Sequence, residues 1–226
     1  MTERGMIFNA EMVRAILDGR KTQTRRIMNE QPVLNGNFYE VFGSAWSKGM
    51  TSIPAVPGHS LSTRCPFGAV GDRIWVRETA RCEWQRGDFK DAAFETGVTY
   101  KADGERQSFR SAEQHKTFPR RSHAANGDLA WHPSIHMPRW ASRILLEITD
   151  VRVERLNAIS QEDAQAEGME LTGWRPTYSD PDSGGKVMTP YDNFAELWSS
   201  IYGDESWKAN PWVWVISFKR VEGGAA

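Results

Sequence analysis

The chain of 226 residues has 39% hydrophobic and 25% charged residues, which is typical of an ordinary globular protein. Its formal net charge of −1 excludes a global field that would draw it onto a polyanion, so contact with nucleic acid would need a local basic patch. Two cysteines are too few for a disulfide framework, and a reduced, cytoplasmic setting is expected. We find no apolar signal-peptide region and no stretch long enough to span a bilayer, so no membrane association is expected.

The first elements are a short strand and a helix. Met6-Ile7-Phe8 predicts the strand. Asn9 can cap the helix that follows, because its side-chain oxygen accepts a hydrogen bond from a free backbone N–H. Gly19 stands where a left-handed residue would end that helix. Four apolar residues fall on one helical face: Met12, Val13, Ile16 and Leu17.

A basic segment follows, in which the eight residues from Gly19 to Arg26 hold four cations. The cations around Lys21 disfavour its protonated form, and burial would add to that effect, so a lowered pKa is expected for Lys21. Such a lysine can act as a base at neutral pH. Lys21 and Thr24 are an odd number of residues apart, so they can share a site only if the backbone near Lys21 is irregular. The residues alone also allow a solvated basic turn.

The pattern Gly-x-Lys-x-x-Thr-x-Arg, from Gly19 to Arg26, resembles the signature of the ASCH superfamily. Domains of that superfamily are small β-barrels similar to the PUA domains that bind RNA. Many members carry Glu where this chain has Thr24. The Thr form resembles the bacterial N4-acetylcytidine amidohydrolases, which use a Lys, a Thr and a Glu. By the match of the motif, the first two fall on Lys21 and Thr24.

The resemblance places the third catalytic residue at Glu167. Ser160 with Asp163 predicts the start of a short helix, and Gly168 predicts its end. In the amidohydrolases the catalytic Glu follows a barrel strand, near the end of a short helix bearing Ala and Glu. Glu167-Gly168-Met169 is similar to that context.

Three segments predict the main strands, at residues 73–79, 142–156 and 212–220. In the second segment the apolar alternation changes phase at Thr149-Asp150. This predicts a bulge or bend of the kind that helps a sheet close into a barrel. Between the last two strands, Asp192 predicts the start of a helix and Gly203 its end. An apolar stripe typical of a core face marks that helix: Phe194, Leu197, Trp198 and Ile201.

Polar, Gly- and Pro-rich stretches predict long loop insertions at about residues 29–70, 80–140 and 170–190 of a single domain spanning residues 1–226. One strand is expected within the second insertion, at residues 97–101. The insertions depart from the compact amidohydrolases. They resemble a longer family of phage- and prophage-encoded proteins.

Further residues are candidates for substrate binding. Trp140 ends a segment rich in Trp, His and Pro that suits a wall stacking on a base, or equally a loop anchored by its tryptophans. Glu78, beside Arg77, is either a site residue or a paired surface charge. The full set of candidates is Arg20, Arg26, Trp75, Glu78 and Trp140.

No metal site is expected. His132 and His136 are four residues apart, but the prolines within and after this pair argue against the helix that would put them on one face. His59 and Cys65 lack a paired ligand spacing.

The sequence therefore predicts an α+β fold, a PUA-like (ASCH) β-barrel with short flanking helices and long loop insertions. The expected activity is removal of an acyl group from the exocyclic N4 of cytidine, with Lys21 as base, Thr24 as nucleophile and Glu167 as acid, and with no cofactor. Direct activation of water by Lys21 and Glu167 is the mechanistic alternative. The functional alternatives are an RNA-binding or ribonuclease protein, in which Lys21, Arg25 and Arg26 contact phosphate, and a phage adaptor that binds a host protein.

Overall fold

Residues 1–42, 50–54, 62, 65–86, 94–110, 130–169 and 188–221 are described by the structure, a computed structural model. The strands in these ranges are β1 (Glu3–Ile7), β2 (Gln23–Ile27), β3 (Val33–Asn35), β4 (Phe38–Phe42), β5 (Met50–Pro54), β6 (Arg73–Arg77), β7 (Ala80–Arg86), β8 (Phe94–Tyr100), β9 (Arg106–Arg110), β10 (Leu145–Arg155) and β11 (Trp212–Arg220). The helices are α1 (Ala10–Leu17), α2 (Gln161–Ala166), α3 (Pro190–Tyr202) and α4 (Asp204–Lys208). None of these helices is long and apolar enough to cross a membrane.

The main sheet has the strand order β1-β6-β10-β11-β2. β1 and β6 are parallel, whereas β6 with β10 and β11 with β2 are antiparallel. The predicted strands at 73–79, 142–156 and 212–220 are thus confirmed as neighbours, β6, β10 and β11. The fold is mixed α+β with short helices, and no closed barrel is found among the described strands.

The predicted phase change in β10 is visible in its burial. Leu146 and Ile148 are buried, Thr149 and Asp150 are both exposed, and burial resumes at Val151. The two successive exposed residues shift the alternation of buried and exposed side chains by one position, as the sequence indicated.

The chain divides into two compact units. The first unit comprises Met1–Gly19, Asp72–Glu147 and Lys219–Ala226, and the second comprises Arg20–Gly71 and Ile148–Phe218. The first contains α1, which begins and ends as predicted. At its start Asn9 accepts a hydrogen bond from the Met12 N–H at 2.8 Å, and after its end Gly19 has φ +76°. The second contains α2, which begins at the predicted cap, because the Ser160 hydroxyl accepts from the Asp163 N–H.

The core of the second unit lies where α2 and α3 cover β11. α3 begins earlier than predicted. Asp192 is not the N-cap; Thr189 is, with Asp192 as its reciprocal partner three residues later. Pro190 fits the first turn, where its missing N–H costs nothing. The buried cluster consists of Leu156, Ile159, Ala164, Phe194, Trp198, Val213 and Val215.

Two predicted insertions contain sheets instead of irregular loop. In residues 29–70, β3, β4 and β5 form an antiparallel sheet, and in residues 80–140, β7, β8 and β9 form another. The first hairpin turns at Gly36-Asn37, because Asn35 pairs with Phe38 and Gly36 takes φ +57°. This Gly-Asn pair is a hairpin signal that the polar composition around it masked. Most of the third insertion, residues 170–187, lies outside the described residues, as does His59.

Candidate functional site

The end of α2 is hydrogen-bonded to the segment that leads into β2. Lys21 and Glu167 form an isolated antiparallel bridge, and the Thr22 N–H donates to the Ala166 carbonyl at 2.8 Å. Regular β2 begins only at Gln23, so strand alternation does not fix the direction of the Lys21 side chain. The irregular backbone expected near Lys21 is therefore present, and it brings together residues 146 positions apart.

Lys21 and Glu167 form a buried ion pair. The Lys21 Nζ lies 2.5 Å from Glu167 Oε2 and donates a second hydrogen bond, at 2.9 Å, to the Glu167 backbone carbonyl. The two side chains are 0% and 4% exposed. An ammonium and a carboxylate in direct contact can exchange a proton, so the pair can act both as a base and as an acid.

Burial lowers the pKa of Lys21 below its ordinary value of 10.5. The Glu167 carboxylate opposes this shift, whereas the positive charges of Arg26 and Arg25 add to it. The expected direction is confirmed, but loss of hydration is a larger cause than the neighbouring cations.

Thr24 lies inside β2, opposite Ile216 of β11, and is 1% exposed. The regular pairing places Thr24 and Arg26 on one face of β2 and Gln23 and Arg25 on the other. Within the described residues, no hydrogen bond joins the Thr24 hydroxyl to Lys21 or Glu167. The structure thus joins two predicted catalytic residues directly and holds the third in the adjoining strand.

Arg25, which the sequence did not single out as part of the triad, is the second cation of the site. Its side chain is fully buried, with Nη2 2.9 Å from Asp163 Oδ2 and Nη1 3.5 Å from Glu167 Oε1. Nη1 also donates to Gln23 Oε1 at 2.5 Å. A sequence signal for Arg25 was present. Gln23 and Arg25 are polar residues two positions apart in a strand, so they lie on the same face and can join one polar network.

Asp163 extends the network towards the surface. Both of its carboxylate oxygens accept from Arg152 Nη2, at 2.9 and 2.8 Å, and Arg152 also pairs with Glu154. The side chain of Asp163 is 22% exposed and that of Arg152 33%. Three cations, Lys21, Arg25 and Arg152, thus pair with four carboxylates: Glu167, Asp163, Glu154 and Asp150.

The two arginines proposed to bind substrate flank the pair. Arg20 is exposed and donates to the Gly168 carbonyl at 3.3 Å, beside Glu167. Arg26 is half-buried in β2, opposite Trp214.

The other three candidates for substrate binding belong to the first unit. The half-buried ring of Trp75 lies under the Arg77 guanidinium, 5.3 Å from ring centre to carbon. Trp140 packs edge-to-face with Phe109, with 5.3 Å between centroids. Glu78 is not a surface charge paired with Arg77; it is buried and paired with Arg143.

Arg143 gathers three carboxylates of the first unit. Its Nε and Nη2 donate to the two oxygens of Glu78 at 2.9 and 3.0 Å, and its Nη1 donates to Asp103 and Glu105 at 2.7 and 2.6 Å. The guanidinium also lies 4.1 Å above the Tyr100 ring. All three nitrogens of the guanidinium thus have carboxylate acceptors, which indicates that Glu78 belongs to a structural pair.

The two histidines of the 131–140 segment do not share a helix. His132 is buried and bridges to Ala80, whereas His136 is exposed in a single 3-10 turn, Ser134–His136. In the ranges that the structure describes, no group of three or more His, Cys, Asp or Glu side chains could hold a metal ion.

Comparison of the chain with protein-family models, curated proteins and solved structures gave no significant match.

Proposed function

We propose that the protein is an amidohydrolase that removes an acyl group from the exocyclic N4 of cytidine, as in N4-acetylcytidine. The contact between Lys21 Nζ and Glu167 Oε2, at 2.5 Å in a buried site, is the observation that carries the proposal. Amide hydrolysis needs a base for the nucleophile and an acid for the leaving amine, and a lysine–carboxyl pair that can exchange a proton supplies both. The resemblance of the Gly19–Arg26 segment to the ASCH signature supplies the substrate class and the PUA-like fold family.

In the first half of the reaction, the reacting form of the pair is neutral Lys21 with protonated Glu167, which the ion pair becomes when one proton passes from Lys21 Nζ to Glu167 Oε2. Lys21 takes the Thr24 hydroxyl proton as the Thr24 oxygen bonds to the acyl carbonyl carbon. Glu167 then gives its proton to the N4 nitrogen while the C–N bond breaks, which releases cytidine. This leaves acyl-Thr24, the Lys21 ammonium and the Glu167 carboxylate.

In the second half, water attacks the acyl carbon and gives a proton to the Glu167 carboxylate. The Thr24 oxygen leaves and takes back the proton held by Lys21. The carboxylic acid is released, and the pair returns to its starting protonation. The Thr24 hydroxyl and Lys21 are not hydrogen-bonded in the structure, so the two groups must come together before the first step.

Charge pairing argues against the RNA-binding alternative. Lys21 and Arg25, two of the three cations that were expected to contact phosphate, are already paired with carboxylates, which compensate their charge. Arg20 and Arg26 then leave only a local patch, so affinity for RNA should be weak and should fall steeply with added salt. RNA binding that persists at high salt would favour the alternative.

The test is to incubate the purified protein with N4-acetylcytidine and follow the ultraviolet spectrum for cytidine. An N6-acyl adenosine serves as the matched substrate, since it carries the same amide on another base. We expect cytidine to form and the adenosine amide to persist. No cytidine at enzyme concentrations equal to substrate would refute the proposed function.

A further inference from the structure

Three elements around the Lys21–Glu167 pair contribute charged side chains. β2 contributes Arg25 and Arg26, α2 contributes Asp163, and β10 contributes Arg152 and Glu154. From α3 the neighbour is an apolar ring, Phe194, which lies 5.9 Å from the Arg25 guanidinium carbon.

Arg25 holds the central place in this arrangement. Its guanidinium lies between the Glu167 carboxyl, at 3.5 Å, and the Asp163 carboxyl, at 2.9 Å. The two oxygens of Glu167 therefore face different cations, Oε2 towards Lys21 and Oε1 towards Arg25. A carboxyl held from both sides keeps one oxygen directed at the lysine.

The two terminal nitrogens of Arg25 take all of its hydrogen-bond partners. Nη1 donates to Gln23 and Glu167, and Nη2 donates to Asp163 and Glu154. The buried Nε has no acceptor among the described residues, which costs free energy. The position of Arg25 is therefore set by the charges around its two terminal nitrogens.

We propose that Arg25 is a positioning residue for the Lys21–Glu167 pair and that Asp163 opposes its charge, so that these two residues set the pH range over which the pair exchanges its proton. The inference deepens the proposed function and depends on it for its catalytic meaning. Arg25 stabilises the carboxylate that Glu167 becomes when it protonates the leaving amine. Asp163 limits that stabilisation, so that Glu167 can take the proton back.

The sign of the effect does not depend on which partner holds the proton. Each proton lost makes the pair one unit more negative, a form favoured by a nearby cation and disfavoured by a nearby anion. Removing the charge of Arg25 therefore moves the titration of Lys21 to higher pH. Removing the charge of Asp163 moves it to lower pH. A role in packing alone, without an effect of the charges, would not give shifts of opposite sign.

The experiment is a ¹³C NMR titration of the full chain labelled at lysine Cε, with the Lys21 signal assigned by its loss in Lys21→Met. Arg25→Gln and Asp163→Asn remove one charge each with little change of shape. We expect the Lys21 titration to move by about one pH unit, up in the first variant and down in the second. Arg155→Gln is the matched control, because Arg155 is an exposed cation at the end of β10 that donates to the Asn210 carbonyl. It should leave the titration unmoved.

Because Arg25 is buried, Arg152→Gln provides a second cation variant at a partly exposed position, with a smaller upward shift expected. Shifts of the same sign in Arg152→Gln and Asp163→Asn, or none, would overturn the proposal. The pH profile of kcat/KM on N4-acetylcytidine should move with the NMR titration. Opposite NMR shifts without hydrolysis would refute the proposed function alone, and hydrolysis with an unmoved titration would refute this inference alone.

Discussion

Lys21 reaches both the side-chain and the backbone oxygen of Glu167, so one lysine fixes the position and the charge of the residue that ends α2. A buried lysine in such a contact couples protonation to folding. The pair therefore has consequences for stability that do not depend on any substrate.

The first prediction concerns the pH dependence of stability. Because the pKa of folded Lys21 lies below the unfolded value of 10.5, the unfolded chain binds more protons between those two values. The free energy of unfolding contributed by Lys21 should therefore rise with pH across that window, by about 1.4 kcal/mol for each pH unit that separates the two pKa values. Urea denaturation of the wild type and Lys21→Met at several pH values measures the difference. Parallel curves from neutral to alkaline pH would contradict the prediction.

The second prediction concerns the coupling within the pair. Glu167→Gln leaves a buried lysine without its counter-charge, which should cost about 3–5 kcal/mol of unfolding free energy. Combining it with Lys21→Met removes both charges and should recover much of that loss. A double-mutant cycle at neutral pH gives the coupling energy. Additive losses would show that the contact contributes nothing.

The third prediction concerns Arg143 in the first unit. Arg143→Gln should leave the buried Glu78 carboxylate without a cation. Burial already raises the pKa of Glu78, and Arg143 opposes that shift. Protonation of Glu78 relieves an unpaired buried charge. The loss of unfolding free energy should therefore be about 3–5 kcal/mol near neutral pH. It should be smaller at about pH 4, which is below the ordinary pKa of a glutamate side chain.

Arg139→Gln is the matched control for that experiment. Its ion pair with Glu3, at 2.8 Å, involves side chains that are 35% and 37% exposed. Such pairs are worth about 0–1 kcal/mol. An equal loss at both pH values in Arg143→Gln would mean that the guanidinium acts through packing instead of charge.

Elements with local signals were predictable from the sequence. Asn9 and Gly19 marked the start and the end of α1, and the apolar run at residues 212–220 marked the extent of β11. α3 began earlier than expected because Thr189 and Pro190 outcompete Asp192 as a helix start. β3 and β4 were missed because a polar composition was given more weight than the Gly36-Asn37 turn.

The site could be predicted only in part, because its contacts are distant in sequence. The motif match pointed to Lys21 and Thr24, and the context at the end of a short helix pointed to Glu167. The structure brings Lys21 and Glu167 together. Nothing local links Arg25 to Asp163, 138 residues away. Arg77, the neighbour of Glu78 in sequence, was the expected partner of its carboxylate. The actual partner is Arg143, 65 residues away, which donates two parallel hydrogen bonds to the two carboxylate oxygens.

The fourth prediction concerns the Thr24 hydroxyl. Thr24→Val keeps the volume at a fully buried position but removes the nucleophile, so turnover of N4-acetylcytidine should be lost with the fold intact. Thr24→Ser should retain part of the activity, because the hydroxyl remains while the methyl group that restricts its rotamer is removed. An active Thr24→Val would indicate that Lys21 and Glu167 activate water directly.

The most direct test of the amidohydrolase account is the rate of N4-acetylcytidine deacylation by Lys21→Arg. Arginine keeps the positive charge but cannot become a neutral base, so we predict no detectable turnover. Circular dichroism verifies the fold, and Lys208→Arg, at an exposed position, should retain the wild-type rate. If Lys21→Arg is folded and active, then Lys21 serves only as a charge, and the mechanism written for the Lys21–Glu167 pair is wrong.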